Sequence, residues 1–73
     1  MMLKQDDVLI NPVDFDNAIF FALPIEVYMK EGTHQETGVI ESHTENKITI
    51  NGGYYLKETC IFKVGYLPNG NRR

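Results

Sequence analysis

The chain has little of what most chemistry or membrane anchoring requires. Cys60 is the one cysteine in 73 residues, so no internal disulfide can form. Its place between Thr59 and Ile61, in an apolar segment, predicts a small buried side chain rather than a reactive thiol. The longest apolar run, Ala18 to Leu23, is far too short to cross a bilayer. The first residues also lack the basic-then-apolar order of a secretory leader, and a cytoplasmic protein is expected. Cations are scarce too. The formal net charge is −3, which argues against nonspecific DNA binding, since that needs several phosphate-neutralising groups on one surface.

Catalytic and metal-binding patterns are missing as well. His34 and His43 are the only histidines, nine residues apart with no cysteine nearby, and that is not a zinc spacing. Ser42 and His43 are strand neighbours whose side chains point to opposite faces, so they cannot share a proton there. Asp14 and Asp16 lie two apart on an expected helix and diverge by about 200°, which is no acid/base dyad. Gly52-Gly53 lacks the Lys and Ser/Thr of a phosphate loop and reads as a turn. The expectation is a non-enzyme with no metal and no cofactor.

What the chain does have is short β-rich segments in close succession. An apolar fraction of 42% with four Phe and four Tyr exceeds what disordered chains carry, so one folded domain over residues 1–67 is expected, with a flexible tail at 68–73. Ile25 to Lys30 alternates cleanly, with Ile25, Val27 and Met29 inward. After Gly38, which opens the next strand at a bend, come Val39 to Ser42, Lys47 to Ile50, Tyr54 to Lys57 and Ile61 to Val64. Ile48, Ile50 and Leu56 are expected in the core. Ahead of these, Val8-Leu9-Ile10 is a short strand or an extended lead-in. Asn11 then reads as a helix N-cap, with Pro12 in the first turn and Asp14 facing the positive end of the dipole. Phe15, Ile19, Ala22 and Leu23 mark one helical face that Pro24 terminates. The fold class is mainly β: a small five-stranded Sm-like or SH3-like barrel with one short N-terminal helix.

Two surface constellations are candidates for binding. The first is acidic and aromatic: Asp14, Phe15, Asp16, Asn17 and Phe20, with Phe21 close behind. One short helix cannot bury Phe15 and Phe20 on the same stripe, because they are separated by about 140°. The plainer alternative is a helix wrapped on two sides. The second is Tyr54, Tyr55, Lys57 and Lys63, which would stack on and neutralise single-stranded nucleic acid; against it stands the routine use of Tyr as a strand former. Charge is also polarised. Residues 1–45 hold nine acids against Lys4 and Lys30, a net of −7, and the remainder holds five cations against Glu58, a net of +4. An acidic face of this kind suits a basic partner.

The run Ile10-Asn11-Pro12-Val13-Asp14-Phe15-Asp16-Asn17 resembles the helix-leading segment of the Rof family, Sm-like inhibitors of Rho-dependent transcription termination. The similarity continues through Ile25 to Lys30 with Glu31-Gly32, then Gly38-Val39, Tyr55-Leu56 and Ile61. It implies occlusion of the Rho surface where RNA enters. Asp14 and Asp16 would meet cations that otherwise hold phosphates, and Phe15 would replace a stacked base. A protein partner is therefore expected first. An RNA-binding barrel using the Tyr and Lys set is the alternative, and an adaptor assembling through unpaired edge strands is a third reading.

Overall fold

The structure, a computed structural model, describes residues 3–67; the tail expected at 68–73 lies outside them. One helix, α1 (Pro12–Phe20), precedes six strands: β1 (Ile25–Met29), β2 (His34–Gly38), β3 (Ile40–His43), β4 (Lys47–Ile50), β5 (Gly53–Leu56) and β6 (Cys60–Val64). They form two three-stranded antiparallel sheets, ordered β2-β1-β6 and β3-β4-β5. The protein is thus mainly β with one short helix, but it has six strands where five were expected. The extra one is β2, His-Gln-Glu-Thr-Gly, which has no apolar alternation to announce it. Its outward side chains stay solvated, while its main chain pairs with β1 from Ile25↔Gly38 to Tyr28↔His34.

Only Val39 separates β2 from β3, so one run of chain passes from the first sheet to the second. Gly38 makes the crossing possible. A Cβ there would stand 2.8 Å from both Asn51 Nδ2 and Ile50 Cγ2, and Ile50 is fully buried. Gly38→Ala is therefore expected to destabilise the fold by about 1–2 kcal/mol through overpacking, read as a lower urea midpoint with an unchanged slope.

The core lies between the sheets and under α1. Phe15 and Ala18 from the helix meet Ile25 and Val27 of β1, Ile48 and Ile50 of β4, and Phe62 and Val64 of β6. Strands β1 and β4 bury the alternate residues that the sequence pattern gave them. On β5 the faces are reversed from expectation: Tyr55 packs on the core and Leu56 is exposed. The tight turn between β4 and β5 is Asn51-Gly52, not Gly52-Gly53, and both turn residues have positive φ (51° and 79°), as a two-residue hairpin of this type requires. Ile50 consequently pairs with Gly53, and buried Ile48 pairs with Tyr55. Gly53 and Tyr55 therefore share the face of Ile48 and Ile50, and Leu56 pairs with Lys47 on the outer face.

The helix also stops earlier than expected, at Phe20 rather than beside Pro24. Ala22 adopts φ 51°; its N–H donates to Ile19 O (3.0 Å) and the Leu23 N–H donates to Ala18 O (2.9 Å). These two bonds form a Schellman closure with alanine in the position glycine usually holds. The closure turns Leu23 back onto the core.

The lead-in expected at Val8-Leu9-Ile10 meets β6 through Val8 and Leu9, together with Asp6 and Asp7 before them. Asp6 N–H and Leu9 N–H donate to Val64 O and Phe62 O (2.8 Å each), and Val64 N–H donates to Asp7 O (2.9 Å), with Val8 bridged to Lys63. The outer edge of β6 is thereby covered, while the outer edge of β5 has no strand partner among the described residues. No helix among the described residues is long and apolar enough to cross a membrane.

Candidate partner-binding surface

The structure separates the five helix residues into two groups. Asp14 is 6% exposed. Its Oδ2 accepts the backbone N–H of Ile10 and of Asn11, both at 3.0 Å, while its own N–H donates to Asn11 O at 2.9 Å. A carboxylate closing the amide-rich end of a helix is stabilised by those N–H groups and by the helix dipole. It is a structural residue and leaves the exposed set. Phe15, 2% exposed, is in the core. It packs edge-on to Phe62 (5.8 Å between centroids) and tilted against His43 (5.5 Å), and so it offers no free ring to a partner.

Asp16, Asn17 and Phe20 lie on the opposite side. With Val13 they fall at positions i, i+3, i+4 and i+7, a single helical stripe. Asp14, Phe15 and Ala18 occupy the buried stripe. Phe20 is 79% exposed and Phe21 61%, and their rings meet edge to face at 4.9 Å. Val13 is exposed as well. The stripe is thus an acid and an amide between two apolar ends. Val13 is the member sequence reading missed, although counting three, four and seven residues along the helix from it identifies the whole face.

Asp16 is held in place across the fold. Its Oδ1 lies 2.7 Å from His43 Nε2, and the carboxylate side chain remains 67% exposed. A carboxylate only accepts, so Nε2 carries a proton in this pair. Nδ1 of His43 is buried with no hydrogen-bond partner among the described residues. Strand β3 thereby tethers the helix carboxylate while leaving it exposed.

The second constellation is not brought together. Tyr54 and Tyr55 point to opposite faces of β5. Tyr54 is exposed, with Lys47 Nζ 4.2 Å from its ring centroid. Tyr55 is half-buried and donates its hydroxyl to Glu36 Oε1 at 3.2 Å; burial first, then that bond, holds its phenol above the ordinary value of 10.0. Lys57 Nζ sits 4.4 Å above Phe15. Lys63 belongs to the other sheet, 5.1 Å from the Tyr28 ring and 4.0 Å from Asp6. Four groups divided among separate neighbourhoods make no stacking platform. His34 meets Thr37 (2.7 Å) and Tyr28, and among the described residues no three His, Cys, Asp or Glu side chains converge as a metal site would require.

Comparison with protein-family models, with curated proteins and with solved structures finds no match.

Proposed function

We propose that the protein is a small non-enzymatic cytoplasmic regulator that binds a protein partner through the outward stripe of α1. The partner surface is one that otherwise holds RNA, as on the termination factor Rho. One observation carries this reading: two aromatic rings stand solvent-exposed and edge to face beside a tethered, exposed carboxylate. Exposed aromatic pairs next to charge are what interface centres use, and an acid beside a ring matches a cation beside a base-stacking pocket. In this reading Asp16, Asn17 and Phe20 make the contact with Val13 and Phe21, and Asp14 and Phe15 support them from below.

The scaffold is two three-stranded sheets that do not close into one barrel among the described residues, and its support for an Sm-like reading lies in the order of its elements. Counting β2 and β3 as one strand bent at Val39 gives five strands in the expected order, preceded by the helix. Ring assembly through strand edges is disfavoured, because residues 6–9 already hydrogen-bond the outer edge of β6 and deny that edge to a neighbouring copy.

The test is competition. Purified Rho is titrated with labelled RNA in the presence of this protein, and RNA binding is expected to fall as the protein saturates. Asp16→Lys combined with Phe20→Ala is expected to weaken inhibition by at least about 30-fold, the scale of losing one interface hot spot, without moving the thermal midpoint. Undiminished RNA binding would overturn the Rho assignment. A complex with RNA in the absence of Rho, insensitive to the double substitution, would move the function to nucleic-acid binding.

A further inference from the structure

The side chain that tethers the α1 stripe also carries a buried polar atom without a partner. His43 ends β3 with its ring tilted against Phe15, 5.5 Å between centroids. Its Nε2 lies 2.7 Å from Asp16 Oδ1, although the two residues are 27 positions apart. Its Nδ1 is buried with no hydrogen-bond partner among the described residues. One ring nitrogen thus meets an exposed carboxylate, and the other is shut away from water.

Imidazole gains a proton between about pH 5 and 8, a range in which carboxylates remain ionised. In the neutral ring the one proton sits on Nε2 and is donated to Asp16, so the pair keeps the negative charge of the carboxylate. An added proton can go only to Nδ1. It neutralises the pair, and it creates a buried N–H without an acceptor, which favours turning the ring toward water. The surroundings offer that N–H little else. From α1 the ring meets Phe15 and Asp16; across the ladder it faces Ile48 of β4, with Tyr55 of β5 next in the same row. Lys57 shares the Phe15 ring, its ammonium 4.4 Å from the centroid, and supplies no acceptor.

We infer that His43 is a pH-sensitive switch on the α1 stripe: its protonation cancels the charge of Asp16 and weakens the hold on a cationic partner surface. The inference rests on the partner-binding reading of that stripe, which it extends to regulation.

The isolated full chain supplies the first readout. In nitrogen-resolved magnetic resonance, the neutral His43 ring is expected as the Nε2–H tautomer. Acidification from about pH 7.5 to about pH 5.5 should move the amides of Asp16, Asn17, Phe20 and Phe21 together with the His43 ring nitrogens. His43→Gln keeps a side-chain N–H donor but cannot titrate, and those shifts should vanish in it; they should survive His34→Gln. The second readout is competition on Rho. Inhibition of RNA binding should weaken about fivefold over the same interval, the upper scale of one exposed ion pair. His43→Gln should retain the neutral-pH inhibition and lose that difference, which separates the switch from titration of Rho itself. An Nδ1–H tautomer in the neutral ring, α1 shifts that persist in His43→Gln, or a pH dependence equal in both proteins would overturn the switch. If RNA stays on Rho at either pH, the Rho assignment falls, and the ring and amide resonances of the isolated chain still decide whether His43 acts on the stripe.

Discussion

Phe15→Ala is expected to lower the unfolding free energy by about 3–5 kcal/mol, whereas Phe20→Ala, on the next turn of the same helix, should stay within about 0.5 kcal/mol. Both residues are phenylalanines in α1, and sequence reading placed both on the binding surface, so the pair isolates burial as the variable. Phe15 is 2% exposed and packs on Phe62, His43 and the Lys57 ammonium. Removing its ring costs the transfer term, the cavity, and the edge-on aromatic contact together. A domain of this length has about 4–11 kcal/mol in total, so Phe15→Ala removes a large fraction of it. Urea denaturation followed by circular dichroism is the measurement. Should Phe15→Ala give too little folded protein, Phe15→Leu serves instead, with an expected loss of about 1–1.5 kcal/mol from a smaller change in volume. A loss below about 0.5 kcal/mol in that variant would remove Phe15 from the core. Phe20→Ala gives the complementary result: an undisturbed fold that has lost one of its two exposed rings is the variant in which partner binding can be measured cleanly.

The contrast between those rings also shows where the sequence is readable. Helical geometry alone says that positions 15 and 20 cannot share a stripe, and the structure agrees. It does not say which ring goes inward, because that depends on what the strands offer. Phe62 and His43 come from β6 and β3, far along the chain, and together they receive Phe15. Strands β1 and β4 were legible because alternation records a half-buried sheet directly. Strand β2 was not. With His, Gln, Glu, Thr and Gly, it earns its place through main-chain pairing to β1 and through Glu36, which accepts from Asn51 and Tyr55. The Asn51-Gly52 turn was written plainly in its dipeptide. Reading Gly52-Gly53 instead displaced the turn by one position but not the faces, since either turn sets Tyr55 opposite a buried isoleucine; Leu56 was expected in the core for its apolar side chain alone. For the binding surface, the acid, amide and aromatic composition of α1 was visible, but its division into inward and outward members needed the tertiary contacts.

Asp14→Ala is the second substitution with a large expected effect, about 2–3 kcal/mol of lost stability. The carboxylate serves two amides at once, Ile10 N–H and Asn11 N–H, in part-buried charge-assisted bonds, and both lose that acceptor when it is removed. Its charge near the first turn also complements the helix dipole. Asp14→Asn keeps one acceptor oxygen but not the charge, and an intermediate loss of about 1 kcal/mol is expected. The damage should not be confined to α1. Ile10 directly follows Leu9, whose N–H bonds to Phe62 O, so freeing the helix start loosens the segment that covers the β6 edge. Amide exchange at Leu9 and Val64 should accelerate in Asp14→Ala, while exchange in β4 rises only with the global loss. An unchanged denaturation midpoint and unchanged exchange at Leu9 would show that Asp14 is not the clasp described. The same geometry decides how the binding surface can be tested. Reversing the charge of Asp14 together with Asp16 would break the helix start and the interface in one step, and any loss of partner binding would be uninterpretable. Asp16, exposed and tethered only through His43, can be reversed alone.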